Sequence, residues 1–252
     1  MAHRYIRSAC MVLVLVWGIA VSPADAETPL ERVLQLHFQN LGGIQRLQRV
    51  KTVHMVGLAN FRGNEGTTET WYKRPNRFRM QLEYQGMTLI QAYDGQQAWW
   101  VQPFGGSDEP EIMPAPQAER LRRQTQDLFS PFLNYKKKGY AVQYIGETQI
   151  DGRDVYHLRL RRQQLITDYY LDRQTALIYK AVTRMRQQQQ TFVSETLMQD
   201  YRKVEGLVFP FQIRTLVNGE TVYELNVTVI EVNIPIPDRW FAFPKQQGHQ
   251  QP

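Results

Sequence analysis

Residues 77–84 read Arg77-Phe78-Arg79-Met80-Gln81-Leu82-Glu83-Tyr84. Every even position is apolar and every odd one is charged or polar, the period-2 pattern of a β-strand with one buried and one wet face. Such alternation belongs to antiparallel sheets, because parallel strands are covered on both sides and read as continuous apolar runs. It returns at Tyr156-His157-Leu158-Arg159-Leu160-Arg161. Turn signals recur at strand-length intervals: Arg62-Gly63-Asn64-Glu65-Gly66, Arg74-Pro75-Asn76, Asp94-Gly95, Asp151-Gly152, Glu205-Gly206 and Asn218-Gly219. About a dozen strands, most joined to their neighbours in sequence, fit between Thr52 and Pro235. The fold class expected is mainly β (α+β) and antiparallel.

Two segments depart from period 2. Thr28-Pro29-Leu30-Glu31 is a capping box with proline at the first helical position. Leu30, Val33, Leu34, His37 and Leu41 follow at helical spacing, Gly42-Gly43 ends the run, and Ile44, Leu47 and Val50 mark a second short helix. Pro103–Pro116 is rich in glycine, proline and acids, and leads into Gln117–Phe129, which can be helical with Leu121, Thr125, Leu128 and Phe129 on one side. Ser130-Pro131 stops it. An excursion between β segments with one apolar face is either a plug or a lid.

The chain has 252 residues, 30 Lys and Arg against 24 Asp and Glu, and one cysteine. Arg4 and Arg7, the apolar run Ala9–Val21 and Ala24-Asp25-Ala26 have the three parts of a secretory signal cleaved after Ala26. The apolar run falls short of the ~20 residues that span a bilayer. Cys10 stands at the start of that run and not after it at the cleavage point, so it cannot be a lipidated N-terminus, and cleavage leaves no thiol for a disulfide, metal site or catalysis. Export to the periplasm, a single domain over 27–244 and a disordered tail over 245–252 are expected. Loss of Arg4, Arg7 and Asp25 takes the net charge from +6 to +5, a modest excess that a solvated surface or weak attraction to anionic lipid explains.

Catalytic and metal signals are sparse. His37, His54, His157 and His249 lack metal-ligand spacing. No serine sits in a nucleophile elbow, Ser107 in Phe104-Gly105-Gly106-Ser107-Asp108 being the nearest candidate. Asp168 and Asp172 share one face of the strand 165–172, with Glu195 near them, but strand acids beside Arg159 and Arg161 make surface pairs more often than acid–base machinery. Basic residues alternate with acids, so no nucleic-acid stripe forms. No metal, cofactor or catalytic residue is expected. Large apolar side chains stand out instead, including Trp71, Phe78, Met80, Tyr84, Tyr93, Trp99 and Trp100 in the first half and Tyr156, Tyr169, Tyr170, Tyr179 and Met198 in the second. Methionines among aromatics make an adaptable apolar surface that suits flexible chains.

Several pieces in order carry a family likeness: Gly42-Gly43 through Val50-Lys51-Thr52, Tyr93-Asp94-Gly95 before Trp99-Trp100, Gly146-Glu147-Thr148 before Asp151–Leu158, Tyr170-Leu171-Asp172, Asp200–Pro210 and Val232-Asn233 through Pro244. Over residues 41–244 the chain resembles the LolA-like family of periplasmic outer-membrane lipoprotein-sorting carriers. The resemblance implies an unclosed half-barrel whose concave face is covered by helices over about 28–49 and 117–129, enclosing an apolar cavity for acyl chains. The lining it implies comprises Met55, Trp71, Phe78, Met80, Leu82 and Tyr84, continued by Leu89, Tyr93, Trp100, Tyr156, Leu158 and Tyr170, with Leu34, Leu121, Leu128, Phe129 and Phe132 in the lid. The partners implied are lipid or lipoprotein acyl chains, an inner-membrane transporter and an outer-membrane acceptor, with the protein a monomer. Two other readings stay open: an envelope sensor or transporter-docking module, and an enzyme on lipid or glycan using Asp168, Asp172 or Ser107. The chain is longer than a dedicated carrier, and without a lipid anchor it suits transit better than an acceptor's post.

Overall fold

The alternation around Phe78 is one strand of a single sheet. The computed structural model describes residues 27–105, 107–163, 165–187 and 190–244; the expected signal and tail lie outside them. The first half of the chain forms β1 (Thr52–Phe61), β2 (Asn64–Lys73), β3 (Arg77–Tyr84), β4 (Met87–Tyr93), β5 (Ala98–Gln102) and β6 (Ser107–Ile112). The second forms β7 (Ala141–Ile150), β8 (Arg153–Arg162), β9 (Leu165–Asp172), β10 (Ile178–Gln187), β11 (Gln190–Val204), β12 (Leu207–Val217) and β13 (Glu220–Val232). Every pairing is antiparallel, in the order β6-β5-β4-β3-β2-β1-β13-β12-β11-β10-β9-β8-β7. The sheet does not close. β1 meets β13 at its centre, which sends β6 and β7 to opposite edges.

That topology dictates the excursion. The chain from β6 to β7 must travel from one free edge to the other, and it does so across one face. It carries α3 (Ala115–Gln126) and buries Met113, Leu121, Phe132, Leu133 and Tyr140 in the main core. On the same face lie α1 (Pro29–Asn40), with its capping box formed, and α2 (Ile44–Arg49). The excursion begins later than Pro103, because residues 107–112 pair with β5 despite Pro110. An edge strand tolerates proline, whose missing N–H can face away from the ladder.

The sheet curls around these helices. A Cβ on Gly57 would stand 2.7 Å from the Asn226 carbonyl oxygen, and one on Gly66 2.4 Å from that of Glu83. Backbones approach there too closely for a side chain, and Gly57 sits at a bulge against β13. The opposite, convex face is covered over β1–β5 by the chain after β13. Ile234, Ile236, Phe241 and Phe243 pack on Trp71 and Trp99. The Trp99 indole N–H donates to the Phe241 carbonyl at 2.8 Å, and Lys73 binds both the Ile236 carbonyl and Asp238 at 2.6 Å.

Candidate ligand-binding face

Strand register sorts the concave side chains into rows. The first row, Val53–Tyr72–Phe78–Tyr93–Ala98, is buried beneath the helices. The next runs Met55–Thr70–Met80–Gln91–Trp100, and the third Gly57–Thr68–Leu82–Leu89. Met55, Met80, Trp100, Leu82 and Leu89 are only half-buried. The concave face therefore has a filled end under the helices and a soft apolar belt beyond it. The Trp100 indole N–H is buried without a hydrogen-bond partner, a cost of about 1–3 kcal/mol while it stays unmade.

Most residues expected in the lining do face this side. Phe78, Tyr93 and Leu158 are buried in its core, and Tyr84 stands at the far end of β3, its hydroxyl 2.7 Å from Asn64 Oδ1. Tyr156 is half-buried beside α1, in a groove of about 550 Å³ with Leu36 and Tyr144. Two residues do not. Trp71 pairs with His54 and Arg79 on the convex face, its ring stacked on His54 and buried with Ile236 and Phe241. Tyr170 is also convex, stacked on His157 at 4.7 Å. Their neighbours Tyr72 and Tyr169 point inward instead, Tyr169 against Phe132.

The helices are tied down by specific polar contacts. His37 of α1 is buried; its Nδ1–H donates to the Ala176 carbonyl at 2.7 Å, and Nε2 accepts from the Ser130 hydroxyl at 2.9 Å. One imidazole thus joins α1, the β9–β10 turn and the chain after α3. Arg74, which the sequence marks only as a turn residue, donates to the Val50 and Leu47 carbonyls at 2.7 and 2.9 Å and lies over the Phe129 ring. It ties the β2–β3 turn to α2 and to the lid. Leu34, Leu121 and Phe132 are buried beneath this cover, and Leu128 and Phe129 pack half-buried against the core. Arg74→Ala is expected to speed amide exchange in Ile44–Arg49 at least tenfold, since each charged hydrogen bond contributes about 1.5–3 kcal/mol. Unchanged exchange there would remove Arg74 from the latch.

Burial lowers the His37 pKa from 6.5 to about 4, against a smaller opposite effect of its bond to Ala176. The unfolded chain takes up a proton near pH 6.5 that the folded chain refuses until about 4. The contribution is complete above the upper value and is lost as pH falls through this window, by about 3 kcal/mol in all. Urea titrations at pH 7 and pH 4.5 should show this slope in the wild type and a flatter one in His37→Gln. Equal slopes would contradict it.

The carboxylates considered for acid–base work are committed elsewhere. Asp168 on the convex face accepts hydrogen bonds from His157, Arg159 and Arg184 at 2.7–3.3 Å. Burial works to raise its pKa, but Arg159 and His157 overcome that, and the net shift is downward. Asp172 caps its own turn through Thr175, and Glu195 pairs with Lys180 at 2.9 Å. Ser107 opens β6, where its hydroxyl accepts from the Glu109 N–H.

No protein-family model matches this sequence, and no curated protein matches it significantly. Solved structures do. A LolA superfamily protein from Nitrosomonas europaea superposes with a TM-score of 0.56 at 15% identity, covering 82% of this chain and 96% of its own. A DUF1329 family protein from Desulfovibrio piger gives 0.55 at 12% identity over 85% and 97%. A putative outer-membrane lipoprotein-sorting protein domain from Vibrio parahaemolyticus gives 0.54 at 9% over 83% and 94%. The chain has the LolA-like fold. Its concave side, covered by helices between two free sheet edges, is that fold's half-barrel interior. Among the described residues no helix is long and apolar enough to cross a membrane.

Proposed function

We propose that the protein is an exported, periplasmic carrier that shelters acyl chains of lipid or lipoprotein between its sheet and its lid. The observation that carries this reading is the half-buried belt of Met55, Met80, Leu82, Leu89 and Trp100 beside the filled end of the concave face. Extending the burial from the lid outward over that belt needs apolar matter without fixed shape, which an acyl chain supplies and methionines accommodate. The unpaired Trp100 N–H gives a lipid ester carbonyl a donor among apolar groups. Each buried methylene contributes about 0.8 kcal/mol, so one chain of ordinary length supplies roughly 10 kcal/mol before ordering costs. Release then depends on a lid that opens cheaply. Lipoprotein sorting, named for the Vibrio domain, with an inner-membrane donor and an outer-membrane acceptor, is the process such a carrier fits.

Protein isolated from its native envelope without detergent should yield acyl species by mass spectrometry. After delipidation it should bind a fluorescent fatty acid at one saturable site. Absence of both lipid and probe binding would overturn the carrier reading.

A further inference from the structure

At the lid end, the β2–β3 turn and the chain following α3 enclose a pocket of about 280 Å³. Lys73, Arg74, Arg77, Lys137 and Lys138 line it, together with uncharged residues only. Lys73 and Arg77 share Asp238, at 2.6 and 3.4 Å, and Lys138 takes Asp127 at 2.6 Å. Arg74 meets carbonyl oxygens, which do not neutralise it. Lys137 is exposed and forms no ion pair among the described residues. Lys73 and Arg77 reach Asp238 on the convex side, so Arg74, Lys137 and Lys138 are the cations left to the pocket, answered by Asp127 alone, which stands outside the lining. A concave site bounded by low-dielectric walls focuses this excess on whatever enters.

The same pocket touches the apolar interior. Tyr72, Leu128, Phe129 and Leu133 form its inner side, and Tyr72 belongs to the first row of the concave face. From Tyr72 the face runs along β2 past Thr70 and Thr68 to Gly66, about 20 Å at 3.3 Å per residue. A charged end and the concave face, where Met80 and Leu82 of β3 lie beside Thr70 and Thr68, meet at the lid.

We propose that this pocket holds the phosphate headgroup of the lipid whose acyl chain lies on the concave face, making phosphate-bearing lipid the preferred cargo. The proposal rests on the acyl-carrier reading and narrows its cargo to phospholipid over lipoprotein, whose acylated cysteine carries no phosphate. Charge-assisted bonds from Lys137 and its neighbours to phosphate oxygens supply the preference.

The test compares lysophosphatidic acid and monoacylglycerol with the same acyl chain, at low ionic strength, on the delipidated full-length mature protein. The phosphate form is expected to bind roughly tenfold tighter. Lys137→Glu should remove most of that advantage and leave monoacylglycerol binding unchanged, while Lys137→Arg should retain it. Equal affinities for the two lipids, or equal weakening of both by Lys137→Glu, would overturn the headgroup assignment and leave the carrier reading standing. Competition by glycerol 3-phosphate or inorganic phosphate as strong as that of the lipid would make the pocket a site for free phosphates and overturn the lipid assignment. Binding of neither lipid would overturn both.

Discussion

Gly42→Ala is expected to destabilise the protein by about 3–5 kcal/mol, from a left-handed backbone strain and an overlap that only backbone movement relieves. Gly42 lies between α1 and α2 at φ +107°, and a Cβ there would sit 2.2 Å from the Gly206 carbonyl oxygen and 3.1 Å from Leu207 Cα. The corner is locked on the β11–β12 turn: Val208 N–H donates to the Leu41 carbonyl, and Arg46 donates to both the Gly42 and Gly206 carbonyls. Nothing flexible can give way. Gly43 separates the two causes, because its φ is +93° but a Cβ there would meet no heavy atom within 4 Å. Gly43→Ala should therefore cost only the strain, about 1–2 kcal/mol. Urea denaturation of both variants measures the difference, and equal losses would show that the docking against Gly206 contributes nothing.

The second large effect concerns binding. Met80→Asp combined with Leu82→Asp is expected to weaken a fluorescent acyl probe at least about 100-fold, since a charge left against an acyl chain must be desolvated. Both side chains are half-buried on the concave face of β3 and lie beyond the filled first row. The fold should survive, which circular dichroism and urea midpoints check. Tyr170→Asp, on the convex face, should leave probe affinity unchanged. Normal binding by the folded double variant would place the acyl site elsewhere.

Much of this architecture was legible because its signals are local. The alternation at Arg77–Tyr84, the capping box at Thr28 and the turn pairs at Asp151-Gly152, Glu205-Gly206 and Asn218-Gly219, all with positive φ, need only neighbours in sequence. Errors arose where adjacent aromatics erase the period. In Asp168-Tyr169-Tyr170-Leu171-Asp172, Tyr170 lies between two acids on one face and so had to share it, leaving Tyr169 to join Leu171 inside. That signal was present in the sequence. Trp71 likewise lies between Glu69 and Lys73 on one face; what the sequence did not show is its cover by Ile236 and Phe241, far along the chain. Arg74 and the cations of the lid-end pocket were invisible for a related reason: the turn of β2–β3 and residues 125–138 meet only after the excursion crosses the sheet.

The central claim, an acyl chain on the concave face, is tested most directly by photo-crosslinking. A fatty acid bearing a diazirine near its methyl end is bound to the delipidated protein, irradiated and located by peptide mass spectrometry. Label on Met55, Met80, Leu82, Leu89 or Trp100 is the result expected. Label confined to convex residues such as Trp71, Tyr170 or Trp240, or no site-specific label at saturating probe, would contradict it.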